Sequence, residues 1–288
     1  MIKYGCHSEN FGNQAPEKIF EFIHMLGFDN IDVSARTLIT QKQIVENPEQ
    51  SARFIKELGQ NYKLTLDELF LSSLTIDEKN YTAVMETSIN NDKFEQHFHK
   101  ICQFAREAGF RSIMGAVGGI ENDSHTGDDI NGKFKEKAFA NAIIVLNKQV
   151  QIASEYGLVF SVEPNRHSIL SEPEKALLMA KSVPNLNYTL DILHFHTNGH
   201  GLEDTMKLLP YTKHFHIRQA KKGIGKCNVS EGEINYDEVV KQLVKEQWSG
   251  SMAMEFWCGE NEYKAGINAV EQNIVMRYTI KELFKKYL

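Results

Sequence analysis

A single pattern repeats along the first half of the chain: apolar residues at helical spacing, then a glycine, then a short apolar run. Phe20, Ile23 and Leu26 lead to Gly27-Phe28 and Ile31-Asp32-Val33. Ala52, Ile55 and Leu58 lead to Gly59 and Leu64-Thr65-Leu66. Phe94, Phe98, Ile101 and Ala105 lead to Gly109-Phe110 and Ile113-Met114, and Ala142, Leu146, Val150 and Ala153 lead to Gly157-Leu158 and the run 159–162. Each glycine stands where the residue after a helix adopts positive φ, which glycine does without steric cost. The runs that follow are too short for helices and rich in β-branched or aromatic residues, so they read as strands.

The second half keeps the rhythm. Residues 186–190, 214–217 and 252–256 read as strands, and 174–181, 204–209, 237–247 and 269–287 as helices. Helix alternating with strand predicts βαβ units on a parallel sheet. Counted from Ile2–Gly5 there are eight strand candidates. Periodicity alone does not separate an open sheet from a closed one, but eight strands favour an α/β fold of the (β/α)8 TIM-barrel type. No Gly/Ser/Pro-rich linker divides the chain, so residues 1–288 are expected to form one domain. The polar segment Glu121–Lys137 reads as a long loop after the fourth strand, either a lid at the barrel mouth or a plain insertion.

Composition narrows the function classes. A net charge of -6 disfavours a nucleic-acid partner, which rewards clustered Lys and Arg. Lys221, Lys222 and Lys226 form a local basic stretch that reads as a solvated loop. Cys6, Cys102, Cys227 and Cys258 are scattered, with no CxxC, which fits free thiols in a reducing compartment. No signal-like segment opens the chain and no apolar run approaches the ~20 residues that span a membrane, so a cytoplasmic protein is expected.

Four polar residues stand at or near the ends of the last four strand candidates: Glu163, Asp191, His216 and Glu255. Singly, each has a plain explanation as a loop or capping residue. In a barrel, however, the carboxyl ends of the strands converge on one mouth. Three carboxylates gathered there beside an imidazole would repel one another or need partners if no cation were present. The donor set suits Mn²⁺ or Mg²⁺, with Co²⁺ and Zn²⁺ as further candidates. Strand alternation adds a geometric expectation: Ser161 and Asn165 share a face with Glu163, His214 and Arg218 with His216, and Ala253 and Trp257 with Glu255. Trp257 then reads either as a wall for a sugar or as a packing residue under a loop.

These residues carry a resemblance. Val162-Glu163-Pro164-Asn165, Asp191-Ile192-Leu193-His194, His216-Ile217-Arg218-Gln219, the stretch 230–236 and Met254-Glu255-Phe256 together resemble the sugar-phosphate isomerase/epimerase superfamily of xylose-isomerase-like TIM barrels, especially its ketose 3-epimerase branch. The resemblance implies one divalent metal ion held by Glu163, Asp191, His216 and Glu255. It implies that Glu163 and Glu255 exchange protons with the substrate carbon, and that His194 and Arg218 contact substrate oxygens. Asn165, Trp257 and His7 are candidate substrate contacts by position. The strand-seven motif often ends in Asp where Gln219 stands here, and His194 shares the site with Asp191 only if the chain turns at Asp191. His196, His200 and His214 read as surface or supporting residues.

The expected activity is metal-dependent isomerisation or epimerisation of a small ketose or keto-sugar, begun by proton abstraction beside a carbonyl, with a homo-oligomer compatible. A dehydratase or lyase acting on a keto-inositol or keto-sugar shares that first step. An apurinic-site endonuclease of the related barrel type would need further histidines that Asp32-Val33-Ser34, Asp67-Glu68-Leu69 and Met114-Gly115-Ala116 do not supply. Gly115–Gly119 is a weak phosphate-loop candidate.

Overall fold

In the computed structural model, which describes residues 2–84, 92–119 and 133–288, eight parallel strands close into a barrel. They are β1 (Lys3–His7), β2 (Asn30–Ser34), β3 (Thr65–Ser72), β4 (Ser112–Gly115), β5 (Val159–Val162), β6 (Asn187–Asp191), β7 (Thr212–Ile217) and β8 (Ser251–Met254). Closure is direct: Lys3 to Cys6 pair with Ser251 to Met254, while Gly5 to His7 pair with Asn30 to Asp32. Two short hairpins stand on the carboxyl side of the barrel, residues 74–81 after β3 and residues 220–226 after β7.

Helices ring the sheet because each presents one apolar stripe. The helix Tyr236–Lys245 buries Tyr236, Val239, Val240 and Leu243, a spacing that lies on one face of a 3.6-residue turn. Its start is set by Asn235, whose side chain accepts from Glu238 N–H. The helix Asp92–Ala108 buries Phe94, Phe98, Ile101 and Ala105, the residues that marked it in the sequence. The last helix, Ala269–Tyr287, seals the seam between first and last strands. It packs Phe284 against Tyr4 and ties its end to Asp237 through Lys286 and Tyr287.

The glycine rule holds at Gly27, Gly109 and Gly157, with φ of 76°, 99° and 70°. It fails at Gly59, which lies inside the helix Pro48–Asn61, and Lys63 takes the left-handed position instead. Gly59 is small for another reason: a Cβ there would stand 3.1 Å from the Leu64 carbonyl oxygen. Strand β3 runs six residues beyond the expected Leu66, because its continuation through Asp67 and Glu68 is polar yet faces the interior. The expected helix 204–209 is a short helix, Leu202–Met206, followed by a 3-10 turn at Leu209–Tyr211. Of the segment read as a long loop, residues 121–132 lie outside the described residues; from Lys133 the chain is helical as far as Glu155. Among the described residues no helix is long and apolar enough to cross a membrane.

Candidate active site

The carboxyl ends of β5 to β8 carry four of the candidate side chains, in two overlapping groups that share Glu163. Glu163 follows β5 directly, Asp191 ends β6, His216 is the penultimate residue of β7, and Glu255 follows β8. His216 Nδ1 lies 2.9 Å from Glu163 Oε1 and 3.4 Å from Glu255 Oε2. The Asp191 end is joined through His194, whose Nε2 is 3.5 Å from Glu163 Oε2 and 3.9 Å from Asp191 Oδ2. Glu163, His216 and Glu255 offer ligand atoms within 4.8 Å of one another, as do Glu163, Asp191 and His194.

The local chain explains how Asp191 and His194 share the site. Asp191 is both the last strand residue and the cap of a short helix, Ile192–Thr197, and its Oδ1 accepts from Leu193 N–H at 2.8 Å. That turn places His194 three residues on, one helical turn from Asp191, where strand alternation would have sent it outward. Arg218 enters from the β7 side. Its Nε and Nη2 both lie 2.6 Å from Asp191 Oδ2, and Nη2 also stands 3.1 Å from Glu255 Oε2 and 3.4 Å from His194 Nε2.

The electrostatics follow from burial and these contacts. Burial pushes Glu163 and Glu255 upward, but His194 and His216 around Glu163, and Arg218 and His216 around Glu255, outweigh it and hold both below the ordinary carboxylate range. Burial raises Asp191, aided by the like charges of Glu163 and Glu255, while Arg218 and His194 pull it down. Burial works against a charged His216, yet Glu255, Glu163 and Glu68 together hold it well above the usual imidazole value. The ring stands among carboxylates on both sides, Glu163 and Glu255 at Nδ1 and Asp32 and Glu68 at Nε2.

The residues fit a divalent cation. Glu255 Oε2 is buried and makes no hydrogen bond, although it faces both His216 and Arg218. Buried polar atoms are normally satisfied, and Arg218, 3.1 Å from Glu255 Oε2 and 2.6 Å from Asp191 Oδ2, is one guanidinium for three neighbouring carboxylates, a charge balance that accommodates a further positive partner. Glu163, Asp191, His216 and Glu255 would supply three oxygen donors and one nitrogen, a set suited to hard or borderline ions.

The other sequence candidates divide. His7, the last residue of β1, is fully buried beside the site; its ring meets the His216 ring edge-on at 5.4 Å, and its Nδ1 accepts from Glu9 N–H. Trp257 is 40% exposed at the rim, with Lys226 Nζ 4.2 Å from its ring centre. Asn165 spends its side-chain oxygen within the loop, accepting from His167 N–H at 2.9 Å. The loop reading fails for Lys226: its side chain is 8% exposed, beside Glu262 and donating to the Trp257 carbonyl. His214 is likewise no surface residue. It is buried in the barrel, between Asp32 Oδ2 and Ser251 Oγ, both at 2.8 Å. His196 stays partly exposed beside Glu233.

Sequence reading passed over two acids that complete this interior. Asp32 on β2 and Glu68 on β3 are fully buried below His216, whose Nε2 lies 3.7 Å from Asp32 Oδ2 and 3.6 Å from Glu68 Oε1. Their signal was present: an acid between Ile31 and Val33, and another just before Leu69-Phe70, have no reason to sit within strands unless the sheet interior is polar there. The Gly115–Gly119 stretch packs tightly. A Cβ at Gly119 would stand 2.0 Å from the His167 carbonyl oxygen, and one at Gly115 would stand 2.8 Å from the Phe160 ring. Ile169 N–H also donates to the Gly118 carbonyl, so the glycines let the loop after β5 lie against β4's extension.

The comparisons agree with this architecture. A family model described as xylose isomerase-like TIM barrel matches residues 20–273. No curated protein matches the chain. Among solved structures, a D-psicose 3-epimerase studied with D-fructose superposes with a TM-score of 0.75 at 16% identity, covering 98% of this chain and 99% of that one. An IOLI protein carrying a zinc atom superposes at 0.73 and 18% identity, covering 100% and 99%. A probable 3-DHS dehydratase from Bacillus anthracis superposes at 0.69 and 16% identity, covering 95% and 98%.

Proposed function

The chain belongs to the xylose isomerase-like TIM barrel family, and from that premise we propose that it is a divalent-metal-dependent isomerase or epimerase of a small ketose or keto-sugar. One observation carries the reading: Glu163, from the end of β5, and Glu255, from the end of β8, both reach His216 Nδ1, at 2.9 Å and 3.4 Å, among buried side chains at the carboxyl end of the barrel. Glu163, Asp191, His216 and Glu255 would hold the ion, Mn²⁺ or Mg²⁺ first, with Zn²⁺ and Co²⁺ as alternatives. When bound, such an ion supplies Lewis-acid stabilisation of charge developing on substrate oxygen.

The protein's own groups do the rest. Glu163 and Glu255, both held ionised by neighbouring cations, are bases at neutral pH. One, as its carboxylate, removes the proton beside the substrate carbonyl; the other, having first taken a proton from water, delivers that proton from the opposite side, which inverts the carbon, and exchange with water then resets the pair. Return at the neighbouring carbon instead gives aldose–ketose isomerisation. His194 and Arg218 present nitrogen donors at the same opening and would orient the substrate oxygens. Trp257 at the rim offers an apolar surface to a sugar face.

The test is exchange. Ketoses and keto-sugars are incubated in deuterated water with the chain and each of the four ions, and deuterium at the carbon beside the carbonyl is read by mass and NMR. Incorporation that needs both metal and Glu163 supports the reading. No incorporation from any substrate with any ion removes it, and loss of water from the substrate instead identifies the dehydratase alternative, a reading to which the dehydratase among the structural neighbours lends weight.

A further inference from the structure

We infer that Glu68 is a positioning residue for the metal site: its Oε1 accepts the Nε2–H of His216 and thereby commits Nδ1 of that ring to the ion. The inference rests on the metal reading above but concerns a residue outside the ligand set. His216 is an imidazole with two faces to serve. Nδ1 points at Glu163 and Glu255; Nε2 points the other way, into the barrel, at Glu68 Oε1 and Asp32 Oδ2. An imidazole that ligates through Nδ1 keeps its hydrogen on Nε2, and that hydrogen needs an acceptor in a place no water reaches.

Among the bare buried polar atoms around this ring are His216 Nε2, Glu68 Oε1 and Asp32 Oδ1. Their mutual need picks the pairing. Asp32 already spends Oδ2 on His214 Nε2 at 2.8 Å. Glu68 spends only Oε2, which accepts from Thr189 Oγ1 at 2.6 Å and Ser161 Oγ at 3.0 Å. With Ser112 Oγ at 3.3 Å, three hydroxyls, from β6, β5 and β4, anchor the carboxylate and leave Oε1 facing His216 Nε2 at 3.6 Å. A shift of well under 1 Å by either group closes a hydrogen bond of ordinary length. A carboxylate behind a metal-bound imidazole fixes its tautomer and raises its basicity as a ligand.

The experiment compares the parent chain with Glu68→Gln and Thr189→Val, each first shown folded by circular dichroism and thermal unfolding. Metal affinity is measured by chelator competition with Mn²⁺ and Zn²⁺, and the ligand field by the visible spectrum of the Co²⁺ form. Proton NMR looks for a slowly exchanging low-field signal from His216 Nε2–H, assigned by its loss in His216→Gln. E68Q should bind metal about tenfold to a hundredfold more weakly, alter the Co²⁺ spectrum and shift or lose the low-field proton. T189V, which loosens Glu68 without removing it, should move all three the same way by less, and it carries the test if E68Q does not fold. Affinity within twofold of parent together with an unchanged proton signal and spectrum overturns the assignment. Binding of two ions per chain, one of them lost in E68Q, also overturns it, since Glu68 would then be a ligand. If the parent binds no ion, the metal reading itself fails, and the low-field proton still reports whether Glu68 holds Nε2–H.

Discussion

Arg218 holds Asp191 through two nitrogens, Nε and Nη2, both 2.6 Å from the same carboxylate oxygen. Both residues are buried, and the same guanidinium faces Glu255. Without an ion, Arg218 is thus the positive charge that keeps two interior carboxylates tolerable. Arg218→Met should destabilise the chelator-treated protein by about 3–5 kcal/mol in urea unfolding. Saturating Mn²⁺ should recover part of that loss. A deficit unchanged by metal would separate Arg218 from the ion site.

Glu255→Gln should leave the fold intact, since the amide keeps the side chain's shape and Arg218 retains Asp191 as its buried anion. Solvent exchange and turnover should fall by about a hundredfold to ten-thousandfold, the range of a lost acid/base group. Near-normal turnover with an unchanged circular dichroism spectrum would defeat the acid/base role.

Metal should stabilise the folded chain. At one hundred times the dissociation constant, linkage raises stability by about 2.7 kcal/mol, several degrees in Tm. Asp191→Asn, which removes one ligand and one Arg218 partner, should shrink that gain. The readout is differential scanning calorimetry with and without Mn²⁺.

Thiol chemistry should discriminate among the cysteines. Burial pushes Cys6 up to about 12 and Cys227 up to about 11, and raises Cys102 further, while Cys258 is only half-buried. A raised pKa leaves the neutral thiol in place until the pH approaches it, so at pH 8 the thiolate of Cys6 is on the order of one in ten thousand. Ellman's reagent should therefore modify Cys258 first and slowly at pH 8, and all four only in denaturant. Rapid reaction of Cys6 in the native chain would contradict its placement.

Gly119→Ala should disturb the site without touching it. The new Cβ would meet the His167 carbonyl at 2.0 Å, so the loop that begins at Glu163-Pro164-Asn165 has to move. Overpacking of this kind costs about 1–3 kcal/mol. A loss in Tm accompanied by weaker metal binding is expected, and unchanged metal affinity would show that the loop moves independently of Glu163.

The sequence by itself carried the barrel and marked four polar positions at the ends of its last four strands. Helix-glycine-strand repetition records local geometry, and polar residues at the ends of the last four strands stand out against their apolar runs. What it could not carry were relations set by closure of the sheet. Glu68 and Asp32 lie on β3 and β2, far in sequence from His216, and only the closed barrel brings their carboxylates beneath its ring. The same holds for His214, which the sequence left as either a surface or a supporting residue and which the barrel buries between Asp32 and Ser251. Gly59 and the length of β3 were misread because local pattern does not report whether a neighbouring backbone approaches or whether an interior is polar. The physical reason is one of range: helix and strand periodicity arises between residues a few positions apart, whereas the charge, burial and hydrogen bonding of a site are decided by chain segments that meet only after folding.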